Sequence, residues 1–483
     1  MKVLFAVSEC VPFIKSGGLA DVAGSLPKEL KNLGTDVRIM MPKYGTIPDQ
    51  FKKDMKKKAE FTVEVGWRNQ YCGIEEYTYQ NMIYYFIDNE QYFKRDRLYG
   101  YDDDGERFAY FNQAVLESLA QLSFYPDIIH CHDWHTGMIP FLLKRRYQSR
   151  DEYAQMKTIF TIHNLQFQGI MPKEALKDLF NLDDRYFHID ELEFYGNINF
   201  MKGALIAADK ITTVSPTYMS EIQTDYYGEK LNGLLTARRA DLIGILNGID
   251  EEIYNPAYDA NLIQPYHSSL IQDKQTNKVH IQQRFALDVK DIPLITMITR
   301  LTKQKGLELV RAVFHEIMRE DIQMIVLGTG DPEFEHFFRE MEYRYGNKFK
   351  AYVGFDEGLA HQLYAGADLF LMPSKFEPCG LGQLIALKYG TLPIVRETGG
   401  LNDTVQSFNE YTWDGNGFSF SNFNAHDMLY TIRRALHFYY ERSVWTHLTE
   451  TAMLMNYSWS QSAVKYFELY RNLVSRSEMY VLK

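Results

Sequence analysis

Cysteine is scarce in this chain of 483 residues: there are four, Cys10, Cys72, Cys131 and Cys379, with no CxxC pair. That is too sparse for a disulfide scaffold, so a reducing compartment is expected. Long apolar runs are missing too. The opening MKVLFAVSEC is apolar only over Val3–Val7 before Glu9 interrupts it, which is too short for a signal peptide. No stretch has the length needed to span a bilayer, and a cytoplasmic location is expected. Positive charge is in deficit, with 52 Lys and Arg against 63 Asp and Glu and a net charge of −11. No global field therefore draws the chain to nucleic acid or an anionic membrane. The acidic balance still permits a phosphate-bearing ligand, held by local Lys, Arg and helix N-termini, and is indifferent to a neutral polysaccharide. Walker loops, GxGxxG, short repeats and low-complexity tracts are all absent.

What is present is ample core material, 46% hydrophobic against 24% charged, in a length that favours more than one domain. Short β-rich runs alternate with helical patterns. In the first half they are Lys2–Val7, Val37–Met41, Ile83–Ile87, Asp127–Cys131, Thr158–Ile162, Ile211–Val214 and Ile243–Leu246. In the second half they are Leu294–Ile298, Gln323–Leu327, Lys350–Val353, Leu369–Met372 and Leu392–Val395. Amphipathic stretches lie between them, for example Leu307, Val310, Phe314 and Ile317 on one helical face. Strands covered on both faces by crossover helices predict α/β, doubly wound parallel sheets. The polar segment Glu251–Lys278, with Pro256 and Pro265, follows Asn247-Gly248 and marks a boundary. The domains expected are 1–247, 248–459 and a C-terminal helix in 460–483, with Val464, Phe467, Leu469 and Leu473 mostly on one side. Lys52–Lys58 and Asp102–Glu106 read as solvated faces.

In an open parallel sheet, ligands bind outside the carboxyl ends of the strands, and the unusual residues of this chain fall there. Lys15-Ser16-Gly17-Gly18-Leu19 follows the first strand and opens a helix with the stripe Leu19, Val22, Ala23 and Leu26, which Pro27 should kink or end. Glycines and a helix N-terminus let backbone N–H groups approach an anion, and Lys15 adds charge; a plain Gly-rich turn is the alternative. Arg300 and Lys305 follow another strand and suit phosphate as a bidentate fork and a point charge. Gly328-Thr329-Gly330-Asp331 and Gly354 sit at strand ends where close backbone approach to a nucleoside is expected, a tight βα turn being the alternative. Glu377 precedes Pro378, Cys379, Gly380 and Leu381 at a helix start. Its carboxylate is expected to face a cleft, with Gly380 and Leu381 N–H groups toward phosphate. Cys379 lacks the partner pattern of a thiolate nucleophile, so packing or sugar contact is expected of it. Glu397-Thr398-Gly399-Gly400 offers a further Gly-rich site.

Two histidine clusters complete the set. His130, His132 and His135 with Cys131 end one strand, and His163-Asn164 ends another. Strand alternation without a second ligand pair does not suit zinc, so no metal is expected. Asp133 beside Trp134 suits carbohydrate, an indole for the apolar sugar face and a carboxylate for hydroxyls.

Taken together, KSGGL, HDWH, TIHN with QG following, LNGID, RLTKQKGLELV, GTGD and FEPCGLGQLIALKYGTLPIVRETGGLNDTV resemble the bacterial glycogen synthases and plant starch synthases of glycosyltransferase family five, from Met1 to the last helix. The resemblance implies the GT-B fold, two Rossmann-like domains facing a deep cleft, with a last helix returning to the first domain. It implies ADP-glucose as donor, an α-1,4-glucan such as glycogen as acceptor, retention of anomeric configuration and no cofactor. By the matching positions, Lys15, Gly18, Arg300 and Lys305 surround the ADP phosphates. His163, Asn247, Glu377, Cys379 and Gly380 surround the glucosyl unit, and Gly328, Gly330, Gly354 and Leu381 complete the donor side. Glu9, Tyr92, Asp133 and Trp134 meet the acceptor. Two departures stand out: the second Glu of an E-x7-E pattern is Ile385, and Gly382 stands where relatives often carry Thr. The sequence leaves base preference and oligomeric state open.

Competing readings need features that are missing. A nicotinamide dehydrogenase requires GxGxxG after the first strand, where KSGGL stands instead. A glucan phosphorylase requires pyridoxal phosphate and a longer chain. An epimerase would release an isomerised sugar, and a non-enzymatic glucan scaffold would have no use for Lys15, Arg300, Lys305 and Glu377.

Overall fold

A computed structural model describes residues 1–481, with side chains to residue 475. The backbone forms two compact units. Unit 1 comprises Met1–Val214, Met219–Leu246 and the segment from Trp459; unit 2 comprises Ser215–Tyr218 and Asn247–Ser458. Positions 482 and 483 of the terminal segment expected from sequence lie outside the described residues.

Among the described residues, unit 1 holds strands β1 (Lys2–Ala6), β2 (Asp36–Pro42), β3 (Lys56–Val65), β4 (Arg68–Tyr79), β5 (Met82–Asp88), β6 (Ile128–His132) and β7 (Lys157–Ile162). β8 (Ile170–Pro172), β9 (Glu193–Phe194), β10 (Asn197–Asn199), β11 (Lys210–Thr213) and β12 (Leu242–Gly244) follow. The main sheet has the order β12-β11-β7-β6-β1-β2-β5-β4-β3, with β8-β10-β9 as a small separate sheet. From β12 to β5 the pairing is parallel, and β6 is buried along its whole length. That is why these strands read as unbroken apolar runs rather than alternations.

Beyond β5 the sheet departs from the parallel expectation. β4 pairs antiparallel with β5, and β3 pairs antiparallel with β4 through a two-residue turn at Gly66-Trp67. Gly66 takes φ +59, the conformation that the first position of such a hairpin turn favours. Sequence reading missed this pair because β3 buries only Val63 and Val65, so its apolar signal is thin. Lys56, Lys57 and Lys58, read as a solvated run, are exposed on this edge strand, where charge blocks pairing with another chain.

Two helical expectations also need correction. The helix after β1 runs unbroken from Gly18 to Asn32 through Pro27, which neither ends it nor marks its limit. An interior proline costs about 3 kcal/mol, and this helix offsets that by burying Leu19, Val22, Ala23, Leu26 and Leu30. The terminal helix, Trp459–Val481, belongs to unit 1. Its buried stripe is Ala463, Tyr466, Leu469 and Tyr470, while Val464 is exposed. The expected face is thus rotated by about one residue, because polar-tipped tyrosines rather than the aliphatics face inward.

Unit 2 carries β13 (Leu294–Ile298), β14 (Gln323–Gly328), β15 (Phe349–Val353), β16 (Leu369–Met372), β17 (Leu392–Arg396) and β18 (Phe418–Phe420). They form an all-parallel sheet in the order β15-β14-β13-β16-β17-β18. Leu307, Val310, Phe314 and Ile317 share its core but sit on two short helices, Leu307–Ala312 and Phe314–Ile317, split at Val313. The polar stretch expected to mark a boundary is no loose linker. Asp259 accepts from His361 Nδ1 and Tyr389 Oη, both at 2.6 Å, and the buried Lys274 ammonium donates to the carbonyls of Tyr364, Ala365 and Tyr389. Buried polar groups without a period are what a hydrophobic pattern search cannot see. Among the described residues, no helix is long and apolar enough to cross a membrane.

Candidate functional site

In unit 2 the loops leaving β13, β16 and β17 are locked together by backbone. Gly306 adopts φ +71, and a Cβ there would stand 1.9 Å from Pro373 O. Gly399, φ +46, approaches Glu377 O just as closely. Lys375 N–H donates to Gln304 O at 2.8 Å, Arg396 Nη1 to Lys375 O at 2.7 Å, and Gly400 N–H to Glu377 O at 3.1 Å. Substituting either glycine would therefore move the loops that carry the chemistry.

On this frame Lys305 Nζ lies 2.7 Å from Glu377 Oε2, with side chains only 13% and 8% exposed. Ser374 Oγ donates to the same carboxylate oxygen at 3.0 Å. The glutamate expected to face a cleft is held by a cation and a hydroxyl, and Ser374 is not among the residues the sequence points to. Arg300 is exposed and enters no ion pair among the described residues. Cys379 is buried and burial pushes its thiol up to about 12, which makes it unreactive. Asn247 is buried too; its backbone N–H faces the Cys379 sulfur and its Oδ1 has no hydrogen-bond partner. Gly380 (φ +74) and Leu381 precede the helix Gly382–Lys388. Glu397 accepts from the hydroxyls of Ser419 and Ser421.

The remaining glycines of the donor side answer first to backbone packing. A Cβ on Gly328 would stand 1.9 Å from Thr299 O, and one on Gly330 2.5 Å from Leu301 O. Gly354 N–H donates to Gly328 O at 3.0 Å. Tight turns between adjacent strand exits explain their identity without a ligand.

In unit 1 the buried Glu9 carboxylate accepts from the backbone N–H groups of Ser16 and Gly17, so it anchors the KSGGL loop. Burial raises its pKa to about 6 against the lowering effect of those hydrogen bonds. Gly18 begins the helix, and Lys15 pairs with Asp21 in its first turn at 2.7 Å. Asp21 was legible as an acidic first-turn residue but was not singled out.

At the exit of β6, Asp133 takes φ +55, an uncommon conformation for a residue with a side chain. Its Oδ1 accepts from His163 N–H at 2.8 Å and Asn164 N–H at 3.4 Å, joining the exits of β6 and β7. Burial raises its pKa to about 7. Trp134 is 8% exposed; its ring packs on Phe108 and His135 and would collide with any Cβ at Gly169. His163 Nε2 lies 3.0 Å from His132 Nδ1. Burial drives His163 and His135 down to about 3 and His130 and His132 well below the ordinary range, so all four rings are neutral.

Tyr92 lies in the interior of unit 1. It is 1% exposed, its ring packs on Tyr110, and its hydroxyl donates to Glu106 Oε1 at 2.5 Å. Its donor is thus occupied within unit 1. Among the described residues no group of three or more His, Cys, Asp or Glu side chains is arranged to hold a metal ion.

Residues 2–237 match the family model of the starch synthase catalytic domain, and residues 280–446 match that of glycosyl transferases group 1. The chain is 65% identical over 479 residues to a glycogen synthase of Geobacillus thermodenitrificans, covering 99% of both. It is 63% identical over 482 residues to one of Anoxybacillus flavithermus, covering 100% of both. Among solved structures, the catalytic domain of starch synthase IV from Arabidopsis thaliana, bound to ADP and acarbose, superposes with a TM-score of 0.92 at 34% identity, over 98% of this chain and 99% of that one. A sucrose-phosphate synthase from Thermosynechococcus elongatus gives 0.63 at 17% identity over 98% and 99% of the two chains, a likeness of fold alone.

Proposed function

Since the chain belongs to the glycogen synthase and starch synthase family, we propose that it moves glucose from ADP-glucose to the non-reducing end of an α-1,4-glucan, glycogen, with retention of configuration. It is a glycosyltransferase of the GT-B fold that acts in glycogen synthesis. A nucleotide sugar and a glucan are its substrates; ADP, glycogen and a cytoplasmic location belong to the proposal.

The observation that carries the donor reading is the Lys305–Glu377 pair at 2.7 Å, at the carboxyl ends of the unit 2 strands, with Arg300, in no ion pair among the described residues, on the same loop as Lys305. A paired carboxylate can turn toward sugar hydroxyls while its lysine and the neighbouring guanidinium take the diphosphate. In this reading Arg300, Lys305, Lys15 and the N–H groups at Gly18, Gly380 and Leu381 take the phosphates, and Gly328, Gly330 and Gly354 lie along the nucleoside. Glu377, Asn247, Cys379 and His163 surround the glucosyl unit, and Glu9, Asp133 and Trp134 face the acceptor.

Departure of ADP breaks the bond from C1 to the phosphate oxygen and leaves charge that these cations and N–H groups stabilise. The acceptor 4-hydroxyl attacks C1 on the face that ADP leaves, and its proton passes to the departing phosphate oxygen. Ile385 in place of a second carboxylate supports this front-face course over a two-glutamate one. Each preorganised donor of this kind typically contributes about 10²–10³ in rate.

The test is transfer of labelled glucose onto glycogen from ADP-glucose and, separately, from UDP-glucose, with free glucose monitored. Strong incorporation from ADP-glucose that Glu377→Ala abolishes is the expected result. Preference for UDP-glucose would overturn the donor assignment, and glycogen binding with no incorporation from either would overturn the site.

A further inference from the structure

The histidine ladder of unit 1 contains a ring that no substrate reaches. His132 is fully buried on β6, held between the Phe5 ring at 5.2 Å and the His130 ring at 4.1 Å, and its backbone N–H donates to Thr136 Oγ1 at 2.7 Å. Its Nδ1 meets His163 Nε2 at 3.0 Å. Its Nε2 is buried without a hydrogen-bond partner. His163 itself is only partly buried, and its Nδ1 is the ring nitrogen left free.

One proton lies between the two rings, and the unpartnered Nε2 decides where it sits. If His163 held it, His132 would have to bear its own proton on the buried Nε2, leaving an N–H with no acceptor. If His132 holds it on Nδ1, its Nε2 keeps only a lone pair. Buried donors without acceptors are the rarer and costlier arrangement in folded proteins. The second choice leaves His163 Nε2 as the acceptor, so the proton of His163 sits on Nδ1. From this geometry we propose that His132 is a positioning residue for the transfer: by donating from Nδ1 to His163 Nε2 it fixes His163 as an Nδ1–H donor aimed at a hydroxyl of the glucosyl unit. Outer partners of functional imidazoles set tautomer and ring orientation in this way. The proposal rests on the reading that His163 touches the donor sugar.

The experiment uses the full chain with isotope-labelled histidine. Long-range proton–nitrogen spectra of the unaltered protein are expected to show the proton of His163 on Nδ1; finding it on Nε2 overturns the proposal without any variant. In transfer assays, His132→Leu is expected to lower kcat about 10- to 100-fold, the usual cost of removing an outer partner, and to return the His163 proton to Nε2. His132→Asn, whose amide nitrogen overlaps Nδ1, is expected to restore most of the rate. His132→Leu combined with His163→Ala is expected to be no slower than His163→Ala alone. Full activity in His163→Ala would overturn the reading of the site itself. Loss of activity in His163→Ala with unchanged rate and tautomer in His132→Leu would overturn only the positioning role.

Discussion

The two units hold their buried ionisable groups in opposite ways. Unit 1 buries four histidines that are pushed down and stay neutral, and the same burial lifts two carboxyls, Glu9 and Asp133, to about 6 and about 7. Unit 2 instead sets buried lysines against carboxylates, Lys305 on Glu377 and Lys278 on Asp368, both at 2.7 Å. Neutral burial suits a surface that meets an uncharged sugar chain. In the proposed reaction a charged pair is a store of cation and anion for a nucleotide sugar.

The sharpest way to break this comparison is to unpair unit 2. Glu377→Ala leaves the Lys305 ammonium almost enclosed without a counterion, a class of change that costs about 3–5 kcal/mol. A fall of that size in urea-unfolding stability is expected together with loss of transfer. Next in size, Gly399→Ala puts a Cβ into Glu377 O and forces a left-handed residue, which costs about 1–2 kcal/mol before the clash is counted. Its expected signature is a fall in kcat with folded structure retained by circular dichroism.

Acid should separate the units. A buried neutral histidine stabilises above its unfolded pKa, and that stability is lost as pH falls from about 6.5. The raised carboxyls act in the other sense, gaining stability as pH falls through about 7 and 6, but the four histidines outnumber them. In unit 2 Asp259, held down to about 2 by its hydrogen bonds from His361 and Tyr389 against the cost of burial, keeps its contribution until pH falls below about 4. Hydrogen exchange read by mass spectrometry at stepped pH should show unit 1 losing protection first. Equal loss in both units would dissolve the contrast.

Asp133→Asn isolates one carboxyl. Asn tolerates the left-handed backbone and keeps Oδ1 for His163 and Asn164. Since the native group resists ionisation up to about 7, the variant should gain on the parent by about 1.4 kcal/mol per pH unit as pH rises through the window below 7. Urea titrations at two pH values measure this. Smallest in stability is Lys15→Ala: its pair with Asp21 is partly exposed, so a change under about 1 kcal/mol is expected, while transfer from ADP-glucose should fall markedly.

Strand exits were the legible part of the molecule. Runs such as Leu294–Ile298 and Leu369–Met372 are buried on both faces, so composition alone marks them, and the residues just after them are where a parallel sheet places its ligands. The β3–β4 hairpin was illegible because an edge that faces water carries little apolar signal. The burial of Tyr92 was illegible for a related reason: a buried phenol and an exposed one have the same letter, and its donation to Glu106 shows only in three dimensions. Ser374 and His132 act through contacts to other side chains, Glu377 and His163, and a one-dimensional reading holds no distance between strands. Pro27 shows local propensity losing to burial of a whole helix face.

The helix Trp459–Val481 has one more consequence, for synthesis rather than catalysis. It is made after the whole of unit 2, yet its Tyr470 hydroxyl lies 2.6 Å from Nδ1 of His130, on a strand made more than three hundred residues earlier. Unit 1 has segments on both sides of unit 2 in the chain. Until the final turns emerge, its sheet waits with an apolar face and a buried imidazole uncovered, while unit 2 is already whole. A ribosome stalled before Trp459 would release a chain with unit 2 complete and unit 1 unsealed, a natural client for chaperones and proteases.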